Sequence, residues 1–504
     1  MKAQIRWYHL GSCALLLGLC AAACSALLDS DKQQCQTDSD CEHFGGHPYC
    51  VNNLCVASNL GPEGCFFGSA STPADFANQC STAECDQFDN CARAGVCGSG
   101  STPAALDPPA PDAGVASNVD APPPAATPCV DPGTRNTIVV SGSTAVQPFL
   151  ATVAPILALN QPPYQIAYQP SGSCTGVDLL FNPDPAKRVV KDIVGKQALL
   201  FNTDGTSVAC SFGAGTTLDV AVSDVYSTSC NTAYTVPATI GSYLGPIQPM
   251  VMIVPQGSSQ ATISAEMAHI VFGRGSTDQT AAPWTDPRLY FIRNSGSGTQ
   301  QMISRAINVP AAKWWGLDRG SSGTVRDKME AVTPDKAEQA IGIISTDFAD
   351  AERGRLKILS FKNTDQTCAY YPDSTQFTRD KANVRDGHYP IWGPIHFYAN
   401  VSNGVPSTAA GALVTRFTLP KLDQTLLDAI TKIGFVPDCA MTVSRTEEMG
   451  DLSTYSPEYH CGCYYDANVV GGAVPASCHA CNGPSDCTGV AGKPACNNGY
   501  CEVR

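Results

Sequence analysis

The stretch Arg293-Asn294-Ser295-Gly296-Ser297-Gly298-Thr299 decides how the fold is interpreted. It follows a run with strand character, 288–292, and leads into 300–307, where apolar residues recur at helical spacing. A glycine-serine turn between a strand and a helix directs free backbone N–H groups and the positive helix end at whatever lies in front of it. Hydroxyls and the Arg293 guanidinium add further donors. The stretch therefore indicates an anion site, with an ordinary loop as the alternative.

Two stretches upstream have the same pattern of strand, glycine-serine turn and helix start. A strand pattern at 137–140 is followed by 141–145, and a second at 164–168 is followed by 171–176. In open α/β sheets, ligands bind beyond the carboxyl ends of the strands. Three such turns in one domain are therefore expected to face a single cleft.

One carboxylate belongs with these turns. The run 218–223 has strand character and ends directly before Asp224. The structural interpretation of Asp224 is a helix N-cap. The functional interpretation is an acceptor for the proton of a protonated oxyanion.

These stretches carry a resemblance to a known family. The sequences Gly142-Ser143-Thr144-Ala145-Val146, 171–177, Val222-Ser223-Asp224 and 293–299 occur in the order seen in phosphate-specific substrate-binding proteins of ABC uptake systems. Two further segments, 389–391 and 434–437, resemble the closing part of that family's chain. The resemblance covers roughly 136–437 and leaves out the cysteine-rich ends.

The resemblance implies an α/β fold of the type II periplasmic-binding-protein class. In this fold two α/β lobes are joined by crossover strands and close like a hinge on the ligand. The domain would span 129–458, with lobe one formed by 130–245 and 365–455 and lobe two by 246–364. The apolar run 249–254 is the expected first crossover.

The resemblance also implies a phosphate site shared by the two lobes, with no metal and no cofactor. The implied ligand residues are Thr144, Ala145 through its amide, Ser173 and Asp224 from lobe one, and Arg293, Ser297, Gly298 and Thr299 from lobe two.

Asp224 would select for phosphate over sulfate, because it can accept a proton that sulfate lacks at neutral pH. Many members of the family carry an acidic residue where this chain has Ser295. Arg293 is therefore expected to be held differently here or to be more electropositive, which affects phosphate selectivity but leaves oxyanion binding intact.

The leading functional hypothesis is a phosphate-binding component of an ABC uptake system that passes its ligand to a permease. The alternative is a surface adhesion or assembly protein that uses the same fold and its cysteine-rich modules. A phosphatase is least favoured, because the globular region offers no convincing metal cluster and no Ser–His–Asp order. We therefore expect a binding protein and not an enzyme.

The N-terminus and the overall charge indicate an exported protein. The 504 residues carry a formal net charge of −14, which argues against nucleic acid as a partner. Residues 1–24 have the pattern of a signal peptide, and the apolar run 10–19 is too short to span a membrane. Small residues before Cys24 favour lipoprotein processing there, with simple secretion as the alternative. We expect a membrane-anchored lipoprotein in the periplasm or on the outer surface.

The 25 cysteines of an exported chain predict disulfides. The spacing C-x5-C-x8-C-x4-C occurs at 35–55 and again at 481–501. Four cysteines allow three pairings, between which the sequence does not choose, and we expect first-to-third and second-to-fourth. Cys174 is expected to pair with Cys210 or Cys230 and to fix the start of its helix. The predicted flanking regions are a cysteine-rich segment 25–97, a Pro/Ala-rich linker 98–128 and a C-terminal cysteine-rich module 459–504.

The cysteines near the C-terminus allow a second interpretation. His460, Cys461 and Cys463, with Cys478, His479 and Cys481, have spacings that suit a tetrahedral zinc site. Export and the overlap with the repeat favour disulfides instead.

Overall fold

The computed structural model describes residues 35, 38–41, 49–51, 54–56, 65–68, 70–86, 90, 95, 103–108, 127–130, 136–275, 281–364 and 366–503. The predicted lipidation residue Cys24 and the signal peptide lie outside these residues. The chain divides into two compact units, residues 1–69 and 70–504, which are described separately. Within the described residues, no helix has the length and apolar character needed to cross a bilayer.

The strands are β1 (Tyr49–Val51), β2 (Leu54–Val56), β3 (Asn136–Gly142), β4 (Tyr164–Gln169), β5 (Val189–Val190), β6 (Ala198–Phe201), β7 (Ser207–Cys210), β8 (Thr216–Thr217), β9 (Val220–Ser223), β10 (Ile240–Pro255), β11 (Thr262–Ser264), β12 (Tyr290–Ile292), β13 (Leu317–Asp318), β14 (Ile341–Ser345), β15 (Leu356–Ile358), β16 (Ser360–Lys362), β17 (Trp392–Ser402), β18 (Val405–Pro406), β19 (Val443–Ser444), β20 (Ser453–Thr454), β21 (Ala495–Asn497) and β22 (Tyr500–Glu502).

The α-helices are α1 (Pro73–Asn78), α2 (Gln147–Ala158), α3 (Ser173–Leu180), α4 (Ser227–Cys230), α5 (Ala265–Arg274), α6 (Gly298–Ala306), α7 (Ser322–Glu330), α8 (Thr346–Ala351), α9 (Ala382–Arg385), α10 (Thr408–Val414), α11 (Gln424–Lys432) and α12 (Gly462–Asn468).

The first unit contains the antiparallel strand pair β1 and β2. Disulfides join Cys35 to Cys50 and Cys41 to Cys55. A segment this short buries little apolar surface, so the two bridges supply most of its constraint. The predicted first-to-third and second-to-fourth pairing is confirmed for this copy of the repeat.

The second unit is built on one large mixed sheet with the strand order β13-β12-β14-β10-β17-β9-β3-β4-β6-β7. Strands β3, β4 and β9 run parallel to one another, as do β12, β13 and β14. The long strand β10 joins the two halves: up to Pro249 it pairs with β17, and from Met250 it pairs with β14. This shared strand passes through the predicted crossover at 249–254.

The lobe-one half of the sheet is covered on both faces. Side chains alternate along β3, so that Ile138 and Val140 join the core beneath α2 and α11, whereas Val139 joins the core beneath α3. β-Branched residues buried on both faces are typical of parallel strands between helical layers. The lobe-two half forms a separate large core around β10, β12 and β14. The predicted α/β fold class, with two halves, a crossover strand and small disulfide-rich modules, is confirmed.

Part of the segment before the main domain packs against lobe two. Residues 103–108, inside the predicted linker, run beside α5, where Leu106 donates its amide to the carbonyl of Gly273 at 2.8 Å. His269 places its two ring nitrogens 2.9 Å and 2.8 Å from the carbonyl oxygens of Ile307 and Pro103. Six residues of this segment are therefore held on the domain surface. The predicted domain limits stay predictions.

The C-terminal cysteines are oxidised in disulfides, so the zinc interpretation is wrong. The cysteines of the candidate zinc motifs pair as Cys439–Cys461, Cys463–Cys478 and Cys481–Cys496. A cysteine in a disulfide has no thiolate to offer a metal. Together with the bridge Cys487–Cys501, the last of these pairs confirms the predicted pairing in the second copy of the repeat.

Candidate functional site

Three turns meet where the two halves of the sheet face each other. Strands β3, β4 and β12 each end just before one of the glycine-serine turns identified in the sequence. The amide of Gly172 donates to the carbonyl of Gly142 at 2.8 Å, which joins the first two turns. The amide of Cys174 donates to the carbonyl of Gly296 at 3.0 Å, which joins the second turn to the third across the lobes. The three turns therefore form one cluster.

Ser173 lies at the centre of this cluster and is fully buried. Its hydroxyl donates to Asp224 Oδ2 at 3.2 Å and accepts the amide of Gly298 at 3.2 Å. A Cβ atom at position 298 would lie 2.5 Å from Ser173 Oγ and 2.7 Å from Asp224 Oδ2. Only glycine therefore permits this close approach of α6 to lobe one.

Arg293 is buried and is held by uncharged oxygens. Its Nη1 atom donates to Ser322 Oγ at 2.9 Å, and its Nη2 atom donates to Thr144 Oγ1 at 2.9 Å and to the carbonyl of Gly320 at 3.0 Å. The exposed Ser295 takes no part in these contacts. The expectation that Arg293 is held differently from the usual family arrangement stays a prediction. Because its direct partners are uncharged, the guanidinium keeps its positive charge for another group.

The predicted ligand residues of the first turn lie beside this arginine. Thr144 and Ala145 are both buried, and Thr144 is the lobe-one residue that Arg293 contacts. The amide of Ala145 donates to Ser143 Oγ at 3.1 Å, and Ser143 is the N-cap of the short 3-10 helix that follows. In this arrangement the Ala145 amide is already used within its own turn.

The third turn supplies two further buried side chains. Ser297 occupies the N-cap position of α6 without making a side-chain capping bond, and Thr299 is fully buried in the first turn of that helix. Neither hydroxyl is used to cap its own helix, which is the ordinary role of such residues. Both are therefore available to another acceptor.

Asp224 is buried and ends β9, but it does not cap a helix. The N-cap of the following helix α4 is Tyr226. Burial raises the pKa of Asp224 to about 6, while the hydroxyl of Ser143, the charge of Arg293 and the hydroxyl of Ser173 oppose this rise. A carboxyl group with this pKa exchanges a proton readily near neutral pH.

Three buried polar atoms in the cluster have no hydrogen-bond partner among the described residues. They are Arg293 Nε, Thr299 Oγ1 and Asp224 Oδ1. An unpaired buried polar atom costs about 1–3 kcal/mol. One is a charged donor, one a hydroxyl and one an acceptor, so together they match a small tetrahedral anion that carries a proton.

Several residues that contact the turns were not identified from the sequence. Ser322 and the carbonyl of Gly320 belong to a fourth joint, in which β13, a glycine-serine stretch and α7 repeat the same pattern. That pattern could have revealed them. Gln300, whose Oε1 atom accepts the Arg293 amide at 2.9 Å, lies in α6 directly after the quoted stretch.

Two contacts from lobe one had no such local signal. The Tyr168 hydroxyl donates to the carbonyl of Ser143, and Lys196 Nζ donates to the carbonyl of Ser171 at 2.6 Å. Burial lowers the pKa of Lys196, and the charge of Arg293 lowers it further. Both side chains reach the turns only through the tertiary fold, and Lys196 adds a second positive charge near the cluster.

Comparisons with known proteins give remote structural similarities. No protein-family model matches the chain, and no curated protein matches it. An ABC-type phosphate transport receptor from Vibrio cholerae is similar at 16% identity with a TM-score of 0.39, covering 59% of this chain and 99% of that one. A phosphate-binding protein from Stenotrophomonas maltophilia is similar at 14% identity with a TM-score of 0.37, covering 62% and 92%.

A protein of another kind is also similar. The reduced form of the OxyR regulatory domain from Pseudomonas aeruginosa matches at 10% identity with a TM-score of 0.30, covering 58% of this chain and 96% of that one. At these identities and TM-scores, the similarities define neither a family nor a ligand for this chain. The fold follows from the chain's own strand order.

Proposed function

We propose that the protein binds inorganic phosphate between its two lobes, outside the cytoplasm, without catalysing a reaction. The observation that carries the proposal is the set of buried, unpartnered polar atoms on Arg293, Thr299 and Asp224. These atoms come from turns of both lobes, so a ligand that paired with all of them would also hold the lobes together.

The chemistry of the cluster favours phosphate among small anions. A buried anion needs many donors, because an unpaired buried charge costs several kcal/mol. Arg293 and the hydroxyls of Thr144, Ser297 and Thr299 supply such donors. Asp224 would repel an anion without a proton, but it can accept a hydrogen bond from the P–OH group of HPO₄²⁻ or H₂PO₄⁻.

The extracytoplasmic location is supported by the disulfides, which persist in oxidising compartments. We infer that the protein serves as the substrate-binding component of an ABC phosphate uptake system. Lipid anchoring through Cys24 and a permease partner are part of this proposal. The proposed role is binding and not hydrolysis, because the cluster consists of donors around one arginine, and the Ser173 hydroxyl, which is paired with Asp224, also accepts the Gly298 amide.

Equilibrium titration of the purified protein with radiolabelled phosphate tests the proposal. We expect saturable binding of one phosphate per chain, and we expect Gly298→Ala to abolish it, because the added Cβ would collide with Ser173 and Asp224. Gly411→Ala is the matched control: Gly411 also lies in a helix, and its added Cβ would meet its nearest neighbour at an ordinary 3.5 Å.

Native protein that takes up no phosphate would contradict the proposal. So would equal binding by the native protein and Gly298→Ala. Release of phosphate from a chromogenic phosphate ester, if the native protein produced it and Gly298→Ala did not, would replace binding with hydrolysis as the function of this site.

A further inference from the structure

A C-terminal loop reaches the back of the Asp224 turn. The disulfide Cys439–Cys461 closes this loop, and the short antiparallel pair β19 and β20 lies inside it. Between these two strands the chain carries Arg445 and Glu448, both buried. This loop follows residue 437, where the stretch that resembles the binding-protein family ends.

Arg445 anchors the loop on the main domain. Its guanidinium carbon lies 4.0 Å from the centre of the Trp392 ring, and its Nη1 atom donates to the carbonyl of Pro390 at 3.0 Å. The hydroxyl of Tyr226 donates to the carbonyl of Arg445 at 2.9 Å. A cation over an aromatic ring and two hydrogen bonds fix the loop against β17 and against the segment that follows Asp224.

Glu448 contacts that segment directly. Its Oε2 atom accepts the backbone amide of Tyr226 at 3.1 Å. A Cβ atom added at Gly393 would lie 2.9 Å from Glu448 Oε1 and 3.3 Å from the carbonyl oxygen of Asp224. Gly393 therefore leaves room for Glu448 to lie close behind the Asp224 backbone.

The Asp224 turn has few other fixed points. The amide of Asp224 makes a long bond of 3.4 Å to Ser173 Oγ, and the amide of Val225 bonds locally to Ser223 Oγ at 3.2 Å. The bond from the Tyr226 amide to Glu448 ties the backbone of this turn to the disulfide-closed loop. Burial raises the pKa of Glu448 to about 7, and its ionised form makes a stronger hydrogen bond to this amide than an uncharged oxygen does.

We propose that Glu448 is a positioning residue for phosphate binding: it holds the turn 224–226 and thereby aims the Asp224 carboxyl at the ligand proton. This inference rests on the proposed function. It makes the disulfide-closed loop a part of the site, although Glu448 touches no ligand itself.

The test uses the full chain and compares Glu448→Ala, Glu448→Gln and Glu447→Ala by phosphate titration with sulfate as competitor. Glu448→Ala leaves the Tyr226 amide unpaired, so phosphate affinity should fall about tenfold and the preference for phosphate over sulfate should narrow. Glu448→Gln keeps an acceptor oxygen, so its phosphate affinity and its preference for phosphate over sulfate should stay within about twofold of the native values. Glu447 is the exposed neighbour, and its replacement should change neither quantity.

Two results would overturn the inference while leaving the proposed function intact. One is native affinity and native selectivity in Glu448→Ala. The other is an equal loss in Glu448→Ala and Glu448→Gln, which would assign the effect to the negative charge. If Glu448→Ala does not fold, Glu448→Asp replaces it in the test. The shorter aspartate side chain places its carboxyl farther from the Tyr226 amide, so this variant should show the same loss of phosphate affinity and selectivity. Absence of phosphate binding in the native protein would contradict the proposed function itself.

Discussion

At the scale of single residues, the candidate site depends on how two buried charges are supported. Arg293 gives its Nη hydrogens to Thr144, Ser322 and the carbonyl of Gly320, none of which carries a charge. Asp224 receives a hydrogen bond from Ser173, and its Oδ1 atom has no hydrogen-bond partner in the part of the chain that the structure describes. Each group is thus held in place without being neutralised, which suits a site whose ligand completes the pairing.

Replacing Asp224 by Asn should raise stability in a pH-dependent way. The pKa of Asp224 is about 6 in the folded protein and 3.8 in its reference state. Below pH 3.8 the carboxyl is protonated in both states, so the two proteins should differ little. As the pH rises, the Asp224 carboxyl ionises first in the unfolded state. The free energy of unfolding of the native protein therefore falls by up to about 3 kcal/mol once the pH exceeds 6.

Thermal unfolding in phosphate-free buffers measures this effect. Asp224→Asn should have the higher Tm at pH 7, and its advantage should shrink toward pH 4. Asp451→Asn, at an exposed position, is the control and should follow the native protein. A constant difference at every pH would show that titration of Asp224 is not the cause.

The same substitution should also change selectivity. In the native protein, sulfate should compete poorly for labelled phosphate, because Asp224 repels an anion that brings no proton. Asn removes the charge, so sulfate should compete more strongly against Asp224→Asn. Equal competition by sulfate in the native protein would mean that Asp224 does not act as the proton acceptor.

At the scale of elements, a buried ionic cluster joins α8 to the segment that leads into α9. Lys381 Nζ lies 2.7 Å from Asp350 and 2.8 Å from Asp373. Arg353 lies 2.6 Å and 2.5 Å from the same two carboxylates. Two cations and two carboxylates balance each other, so the cluster fixes this connection in lobe two without leaving a net buried charge.

Lys381→Met should destabilise the protein by about 3–5 kcal/mol, because the cluster keeps two buried carboxylates and only one cation. Urea unfolding followed by circular dichroism measures this change. The double variant Lys381→Met with Asp373→Asn should lose less stability than Lys381→Met alone, because the second substitution removes one unpaired carboxylate. Lys421→Met, at an exposed position, should stay within about 0.5 kcal/mol of the native protein. If Lys381→Met lost no more stability than Lys421→Met, the ionic cluster would not have the stabilising role described above.

At the scale of the whole molecule, disulfides tie distant parts of the chain to the domain that carries the site. Cys174–Cys230 joins the first turn of α3 to the end of α4, and these two helices flank Ser173 and Asp224. Cys129–Cys210 closes the outer edge of lobe one, and Cys85–Cys368 ties Cys85, in the described part of the cysteine-rich segment, to the main domain. The prediction for Cys174 left two partners open, and the structure selects Cys230.

Removing the Cys174–Cys230 bridge should weaken both the fold and the site. Its sequence separation is 56 residues, so Cys174→Ser with Cys230→Ser should lose about 4 kcal/mol of stability by the chain-entropy relation. Phosphate affinity should also fall, because Ser173 precedes the freed residue. Cys481→Ser with Cys496→Ser opens a bridge in the C-terminal repeat and should leave phosphate affinity unchanged. The same loss of affinity in both double variants would mean that the bridge beside Ser173 has no special role in the site.

The sequence by itself determined the features that depend on short stretches of chain. These are the three strand–turn–helix joints and the cysteine repeat, whereas the structure decided which of the three possible pairings each copy of the repeat has. It also indicated the eight candidate ligand residues, which the structure brings into one buried cluster. The joints and the repeat follow from local features of the sequence, because periodicity, small residues at a turn and cysteine spacing act over a few residues. The eight ligand residues are those that the family resemblance implies.

Only the tertiary structure decided which distant groups support that cluster. Tyr168, Lys196 and Glu448 reach the turns from other elements, and nothing beside them in the sequence indicates where their side chains lie. The choice of Cys230 over Cys210 and the packing of residues 103–108 against α5 are long-range outcomes of the same kind. They depend on how β10 brings the two halves of the sheet together, and such contacts between distant parts of the chain are fixed by packing of the whole molecule.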